Sequence, residues 1–435
     1  MSEQQLLRSN VMSISPLISD DKNSAFMPQG ISKIQDHLYD PRYITATSVC
    51  GLGMENTFEI SKQASIFTDL TLQITWPSIP VTSGTFVRYV DFLGYAAIES
   101  YTCVYVSNKL YQYGGHYLWT RARLNYSNEK RVAINNAVLG ERSGAERSAL
   151  TQSTTPIDTY TNIFYPLGLD LSMPGPSISL AQKLQNIFKL RNMAQLLQTD
   201  GNINSYSGFD IDNKSGARLL IGFRHLTEPQ ANEMVTMTEM DPGLAFLFSN
   251  KQLYTPTDVS KGANLTGAVQ VQIPNRGALK EYLWYAIPKV LYGQTTNNDW
   301  FMVANKPSPV PPGMGTYNRW KQWWITSSGQ YLVRTDLTYP RWALNEYHRQ
   351  IHTSQPGDNI NDWSFSIDPE AENAALGYTG IANQDNPTLF VEFDPATGTG
   401  INPANQQIQT LVLIQDERQY TFVHFHRGDA TEIFV

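Results

Sequence analysis

Two pairs of histidines have the clearest spacing for metal chemistry in this sequence. His348 and His352 are four positions apart, which would place both imidazoles on one face of a helix, as in zinc proteases. Arg349 stands where that motif needs its glutamate base, and no third ligand follows. His424 and His426 would share one strand face, but they too lack a third His or Cys nearby. We therefore interpret His348 and His352 as packing or solvent-facing residues, and His424 and His426 as interface or loop-packing residues. No metal site is predicted.

Two other segments resemble binding motifs. FDIDNKSG (209–216) is similar to a calcium loop, yet Lys214 occupies a ligand position, Gly216 comes one residue late, and no glutamate closes the loop. We predict a turn there. Trp320, Trp323 and Trp324 in RWKQWW (319–324) could stack on a sugar, but core or subunit-interface aromatics are the favoured interpretation.

The standard catalytic signatures are missing from the sequence. It contains no P-loop and no Gly-x-Ser-x-Gly elbow, and Gly51-Leu-Gly53 lacks the third glycine of a dinucleotide fingerprint. Asp and Glu are scattered, so no carboxylate pair can be nominated for acid–base work. We predict no catalytic, cofactor-binding or metal-binding residues, no cofactor, and a protein that is not an enzyme.

The elements that would position any such residues are mostly strands. In DLTLQITWP (69–77), apolar Leu70, Leu72, Ile74 and Trp76 alternate with polar residues, the period of a half-buried strand. Residues 96–106 alternate in the same way and reach a turn at 107–109, which predicts a hairpin. Further strands are predicted at 161–171, 217–224, 266–274, 279–287, 330–337, 362–368, 387–394, 407–414 and 419–426.

Helical patterns are confined to 179–190 and 228–237, between groups of strands, which disfavours an alternating α/β fold. The sequence instead predicts an all-β protein with short helices, built from two tandem sandwiches of Greek-key or jelly-roll type. We predict an N-terminal arm at residues 1–45, a first jelly roll at 46–225 and a second at 226–435. The Pro-rich segment 304–320 is predicted to be an exposed loop.

Composition limits the partners of the chain. Charged residues are 16% of the 435 positions and the net charge is −7, which argues against direct binding to nucleic acid. Such a sparsely charged, aromatic-rich surface is typical of a protein covered by neighbours. Cys50 and Cys103 are interpreted as buried thiols. We expect neither a membrane-spanning segment nor a secretory signal, so sequons such as Asn125 and Asn213 are interpreted as chance.

The order of several segments resembles the double jelly-roll major capsid proteins of large nucleocytoplasmic DNA viruses and their relatives. FEISKQASIFTDLTLQITWP (58–77) is similar to the opening strand pair of that family. The next block, a strand, a turn and an aromatic segment with glycine before a helix, is carried by Gly94, Ile98, Tyr113, Gly114, Leu118 and Trp119.

Later segments extend the resemblance to the end of the chain. Pro166, Leu167 and Pro174 are similar to the Pro-Leu segment that ends the first sandwich, although the aromatic run usual after that proline is missing. Residues 224–234 resemble an acidic helix start, and Trp284 matches a Trp-bearing strand. The last block is the most specific, and it is carried by Phe365, Pro369, Glu370, Gly377, Leu389 and the closing strand 420–425.

The resemblance implies two eight-stranded jelly rolls in a pseudohexagonal homotrimer, the capsomer that tiles an icosahedral shell. It further implies a place in the virion, contacts with neighbouring capsomers, and an inward N-terminal arm that contacts minor capsid or cement proteins or an internal membrane. The loop at 304–315 would be an outer tower. Three alternatives remain open: an assembly scaffold of the same fold, a lectin-like sandwich that uses the RWKQWW aromatics, and, ranked last because no motif supports it, a β-sandwich hydrolase.

Overall fold

Strands dominate the described part of the chain. The computed structural model describes residues 37–60, 66–105, 108–140, 156–163, 184–226, 244–253, 257–260, 268–273, 278–288, 300–301, 320–334, 360–366, 379–380, 387–393, 408–424 and 429–433. The helices in these ranges are short, which confirms the all-β prediction. None of the helices described is long and apolar enough to cross a membrane.

The first half of the chain forms two four-stranded sheets. Their orders are β1-β10-β3-β7 and β2-β8-β5-β6, all antiparallel, and β4 pairs with β9 separately. The last strand lies between the first and the third, and the second lies in the opposite sheet, which is the jelly-roll arrangement. The strands are β1 (His37–Thr45), β2 (Glu55–Ile60), β3 (Ile66–Trp76), β4 (Val87–Tyr89), β5 (Ile98–Tyr105), β6 (Asn108–Tyr113), β7 (Ile157–Ile163), β8 (Leu184–Leu190), β9 (Leu197–Thr199) and β10 (Ala217–Leu226).

The second half repeats this order. One sheet follows the path β11-β20-β14-β17, with β12, β18 and β21 added beside it, and the other has the order β13-β19-β15-β16. The strands are β11 (Leu244–Leu253), β12 (Thr257–Ser260), β13 (Val269–Gln272), β14 (Ala278–Pro288), β15 (Trp320–Ser327), β16 (Gln330–Arg334), β17 (Asn361–Ser364), β18 (Thr379–Gly380), β19 (Thr388–Phe393), β20 (Ile408–His424) and β21 (Asp429–Ile433). The chain is therefore a tandem of two sandwiches with the same strand order.

The predicted alternation places apolar residues in the core. On β3, Leu70, Leu72, Ile74 and Trp76 are fully buried, and the Trp76 indole N–H donates to Thr159 Oγ1 at 2.9 Å. The hairpin of β5 and β6 is confirmed. A second hairpin, β15–β16, turns at Ser328 and Gly329, whose φ angles of 50° and 78° fit a type I′ turn.

β14 contributes to two cores at once. Alternate side chains on a strand point to opposite faces, and here both faces are buried. One set packs into the core of the first half: Leu283, Tyr285 and Ile287. The other set packs into the core of the second half: Tyr282, Trp284 and Ala286. β14 thus lies between the core of the second sandwich and the core of the first.

The described part of the first half has three α-helices, α1 (Leu93–Ala97), α2 (Gly115–Leu124) and α3 (Asn128–Ala137), and two short 3₁₀ helices at Met193–Leu196 and Ile203–Tyr206. A Cβ at Gly115 would lie 1.9 Å from the carbonyl oxygen of Tyr95, so the start of α2 needs a residue without a side chain. Ser127 caps α3 by accepting from the Lys130 N–H at 3.3 Å. α2 is the buried helix, and it carries the residues described below.

The prediction of a helix at 179–190 is wrong. Residues 184–190 form β8, which pairs with β2 on one side and with β5 on the other. Leu184, Asn186, Phe188 and Leu190 are buried in alternation. An apolar run this short satisfies both periods, and pairing on both sides decides in favour of the strand. The helix predicted at 228–237 lies outside the described residues.

Two boundaries also differ from the predictions. The predicted arm extended to residue 45, whereas 37–45 form β1, paired along its length with β10. The strands predicted at 407–414 and 419–426 are parts of the single strand β20, which continues through Gln415–Arg418 because both β11 and β14 pair with that stretch. The predicted division at 225/226 falls at the end of β10.

Candidate functional site

The predicted metal candidates gain no support from the structure. His348, His352 and His426 lie outside the described residues, and His424 is the last residue of β20. Within the described ranges, no group of three His, Cys, Asp or Glu side chains could hold a metal ion.

The FDIDNKSG segment is a turn, as predicted. Asp212 Oδ1 accepts from the backbone N–H groups of Lys214 at 2.9 Å and Ser215 at 2.7 Å. These bonds hold the pKa of Asp212 below its usual value, and the bond from Lys214 has the largest effect. The carboxylate therefore fixes its own turn.

The tryptophans of RWKQWW do not form one platform. Trp323 is 2% exposed and meets Trp284 edge-on with ring centroids 4.6 Å apart inside the second core. Trp324 faces the other side of β15 and stacks on Phe390 at 5.2 Å and 10°. Trp320 is the first residue of the strand. The core interpretation is confirmed for Trp323, and the lectin-like alternative loses the platform on which it depended.

The two cysteines are buried free thiols, as predicted. The Cys50 thiol donates to the carbonyl oxygen of Asn213 at 3.4 Å, and the Cys50 N–H donates to the same oxygen at 3.0 Å. Cys50 thus ties the segment before β2 to the turn before β10.

A set of six buried side chains lies where the two sandwiches meet. Two of them come from α2, one from the residue that follows β8, and one from β14. The other two are residues 300 and 301 of the second half. All are between 0% and 5% exposed. We call this set the junction cluster: His116, Trp119, Arg191, Tyr285, Trp300 and Phe301.

Aromatic rings form most of the junction cluster. Trp119 stacks on Phe301 with centroids 5.1 Å apart and 20° between the planes, and its ring lies 5.2 Å from Tyr285. His116 lies 5.3 Å from Phe301. Offset stacks and edge contacts of this kind add to the free energy gained by burying the rings. The cluster therefore fastens the first half of the chain to the second.

Arg191 is a buried cation held from several directions. Its guanidinium carbon lies 3.9 Å from the centroid of the Trp300 ring. Nη1 donates to the carbonyl oxygens of Ala96 and Ile98, the latter at 3.2 Å. The Trp300 indole in turn donates to the carbonyl oxygen of Gln195 at 2.8 Å. Arg191 joins the backbone at the end of α1 to an aromatic ring of the second half.

His116 bridges the two halves directly. Its Nδ1 lies 2.5 Å from the Tyr285 hydroxyl oxygen, and its Nε2 lies 3.5 Å from Arg191 Nη2. Because a guanidinium can only donate, Nε2 is the acceptor and the proton resides on Nδ1. Burial first, and the positive charge of Arg191 second, lower the pKa of His116 well below its usual value. The imidazole is therefore neutral at neutral pH.

The backbone beside the cluster is strained. Phe92 has φ 55° and ψ 41°, in the left-handed region that a bulky side chain rarely adopts. Its N–H donates to the carbonyl oxygen of Leu139 at 2.8 Å, and Leu139 itself has φ 55°. The Phe92 ring meets Phe301 edge-on at 5.9 Å. Packing against the second half thus accompanies a strained conformation in the first.

Sequence reasoning did not find the junction cluster, because its members come from four distant segments. One signal was available: YLWYAI (282–287) is apolar without alternation, which is typical of a strand buried on both faces.

The outward face of the sheet β1-β10-β3-β7, called the first sheet below, carries polar side chains that are half-buried or exposed. Thr71, Gln73 and Thr75 are half-buried on this face, and the Gln73 amide donates to the Tyr160 hydroxyl at 3.3 Å. Tyr43 and Tyr160 are exposed there. Amide, hydroxyl and tyrosine side chains suit a surface that meets another protein.

Comparisons of sequence find no relative: no protein-family model matches the chain, and no curated protein matches it.

Comparisons of structure define the class. Two successive sandwiches of the same jelly-roll order, joined through a buried junction, make this the fold of the double jelly-roll viral major capsid proteins, as the resemblance implied. The chain is similar to PBCV-1 VP54, with TM-score 0.71 and 12% identity over 94% of this chain and 100% of that chain. It is similar to the Faustovirus major capsid protein, with TM-score 0.62 and 10% identity over 97% and 98% of the two chains. A chain of the Sputnik virophage gives TM-score 0.58 and 10% identity over 94% and 90%.

Proposed function

We propose that this chain is a viral major capsid protein whose homotrimers are pseudohexagonal capsomers that tile the facets of an icosahedral shell. The observation that carries the proposal is the extent of the structural likeness: it covers 94% of this chain and the whole of PBCV-1 VP54. The likeness therefore includes both sandwiches.

The repeated sandwich explains how a trimer could have a hexagonal outline. A cyclic trimer of a chain with two similar sandwiches presents six similar units around its axis. Those units tile regularly only if the two sandwiches of each chain keep a fixed relation. The junction cluster supports this requirement, since it buries aromatic rings and a cation from both halves.

The proposed role is structural and includes no catalytic step. Charged residues are only 16% of the chain, and the tyrosines on the outward face of the first sheet would be covered by neighbouring copies. The net charge of −7 supports a shell that does not contact nucleic acid directly. We place the chain in the virion.

Two finer assignments belong to the same proposal. The N-terminal arm, now residues 1–36 because β1 begins at His37, would contact minor capsid proteins or an internal membrane. The Pro-rich segment 304–315 would form an outer tower.

Light scattering on a sizing column tests the proposal. A native mass near three times the 49.0 kDa chain, about 147 kDa, is expected. Electron microscopy of that species should show a hexagonal outline. A folded monomer at all concentrations would overturn the capsomer. Presence of the chain in purified mature particles is expected of a shell protein, whereas a scaffold would be absent from them.

A further inference from the structure

We propose that His116 is an acid-sensitive latch between the two sandwiches: when its imidazole takes up a second proton, the junction cluster opens. The inference depends on the geometry of the junction within one chain, so it stands whether or not the chain forms a shell.

The contacts of the imidazole show why a second proton is disruptive. In the neutral form, Nε2 accepts from Arg191 Nη2 at 3.5 Å, while Nδ1–H donates to the Tyr285 hydroxyl at 2.5 Å. A proton added at Nε2 removes the acceptor and leaves two cations facing each other across that distance. Both side chains are at most 5% exposed, so little water screens them.

The net effect of the surroundings disfavours a charged imidazole, because burial and then Arg191 lower its pKa. The described contacts of the imidazole include Arg191, which follows β8, Tyr285 of β14, and the uncharged rings of Trp300 and Phe301. Tyr285 is a neutral phenol that already accepts from Nδ1, and it continues to do so in either protonation state. Water reaches the two cations only if α2 and Arg191 move away from the second half.

Two further features favour opening over a local rearrangement. Arg191 lies 3.9 Å from the Trp300 ring, so displacing the guanidinium also removes a contact between the halves. Phe92 is held in a left-handed conformation, and its ring packs against Phe301. Separation of the two halves frees Phe92 from that packing.

The direction of the pH effect follows from linkage. Burial, and then Arg191, lower the pKa of His116 below its ordinary value of 6.5. Below about pH 6.5 the unfolded chain therefore binds a proton that the folded chain does not. The contribution of neutral His116 is fully present above that pH. As the pH falls below that value, the folding equilibrium constant decreases by about tenfold per pH unit. The decrease stops when the pH reaches the pKa of His116 in the folded chain.

The first experiment compares thermal and urea unfolding of the wild type, His116→Gln and Tyr285→Phe between pH 7.5 and 4.5. The glutamine has an uncharged polar side chain at every pH, so its folding constant should lack the wild type's tenfold loss per pH unit. Tyr285→Phe removes only the hydroxyl, and it should lower stability equally at all pH values while keeping the wild-type slope. Equal slopes for wild type and His116→Gln would overturn the latch.

The second experiment locates the change. Amide hydrogen exchange, corrected for intrinsic rates, should show that segments 115–124 and 278–288 lose protection first when the wild type is moved from pH 7.5 to 5.5. His116→Gln should keep that protection. Loss spread evenly over both sandwiches would argue against opening at the junction.

A third measurement needs no variant, so it decides the matter even if His116→Gln fails to fold. Exchange of the imidazole C2 hydrogen, followed by mass spectrometry, reports the titration of each histidine in the wild type. His116 should titrate below its ordinary range, together with the loss of α2 protection. Titration near pH 6.5 while α2 remains protected would refute the proposal.

Discussion

The indole of Trp119 stacks on the ring of Phe301, with centroids 5.1 Å apart and 20° between the planes, although the two residues come from different halves of the chain. Both are at most 1% exposed. The contact makes the α2 surface of the first half part of a core shared with the second half.

Phe301→Ala should lower the free energy of unfolding by about 3–5 kcal/mol, because a large buried ring is lost and a cavity remains beside Trp119. Urea denaturation followed by circular dichroism measures the change. Tyr331→Ala is the control: this side chain is 56% exposed, and its loss should change stability by less than about 0.5 kcal/mol. Similar effects for both variants would contradict a buried junction.

Adjacent tryptophans on β15 should respond differently to truncation. Trp323→Ala should lower the free energy of unfolding by about 3–5 kcal/mol, because Trp323 lies inside the second core against Trp284. Trp324→Ala removes a half-buried stack on Phe390 and should lower it by only about 1 kcal/mol. Thermal melting of the two variants side by side tests the order. A larger loss for Trp324 would mean that the two faces of β15 are assigned the wrong way round.

Arg191→Met should destabilise the protein by about 2–4 kcal/mol, since the carbonyl oxygens of Ala96 and Ile98 lose a charged donor in a buried site. The substitution should also raise the pKa of His116, because the positive charge that lowers it is removed. Unfolding and imidazole C2 exchange measure the two effects.

Lys189→Met provides a matched control for this cation two residues away. Lys189 pairs with Glu99 at 2.7 Å on the surface, where both side chains are more than 40% exposed, so its loss should change stability by about 0–1 kcal/mol. It should leave the pKa of His116 unchanged. An equal shift of that pKa in both variants would show a general charge effect.

Asp200 should make the loop around Thr85 acid-sensitive. Its carboxylate accepts from the Thr85 hydroxyl at 2.6 Å and from the Thr85 N–H at 2.8 Å. Both bonds lower the pKa of Asp200 below 3.8, and the bond from the hydroxyl has the larger effect. The stabilisation is therefore present above pH 3.8 and is lost as pH falls through the folded value. Amide exchange of residues 83–86 should be faster in Asp200→Ala than in wild type at pH 7, and the difference should shrink in strong acid. A difference that does not depend on pH would argue against the carboxylate.

Local pattern was enough to predict strands where one face of a sheet is buried. Leu70, Leu72, Ile74 and Trp76 follow the period of two, and β3 forms where it was expected. The same rule failed at Leu184–Leu190, where the apolar spacing also fits a helix. The choice there depends on β2 and β5, which are far away in the sequence, so no local rule could make it.

One strand was predicted as two. The predicted strands 407–414 and 419–426 leave a gap at the charged stretch 415–418, yet β20 continues through it because β11 and β14 offer backbone partners on both sides. Backbone hydrogen bonding takes no account of side-chain charge.

Apart from the apolar run 282–287, local pattern gives no sign of the junction cluster. His116 and Arg191 have unremarkable neighbours, and only the fold brings them to Tyr285. These residues combine near-complete burial, a hydrogen bond between the two sandwiches and an adjacent cation. Each of these properties depends on tertiary structure.

The alternation of β14 between two cores bears on how the chain folds during synthesis. When the ribosome has completed β10, every strand of the first sandwich exists, but Leu283, Tyr285 and Ile287, which complete its core, have not yet been made. Until β14 emerges, the apolar surface of α2 that includes Trp119 faces water. The nascent first half is therefore an incomplete unit, and we expect it to need either rapid elongation or a chaperone that shields α2 until the second half arrives.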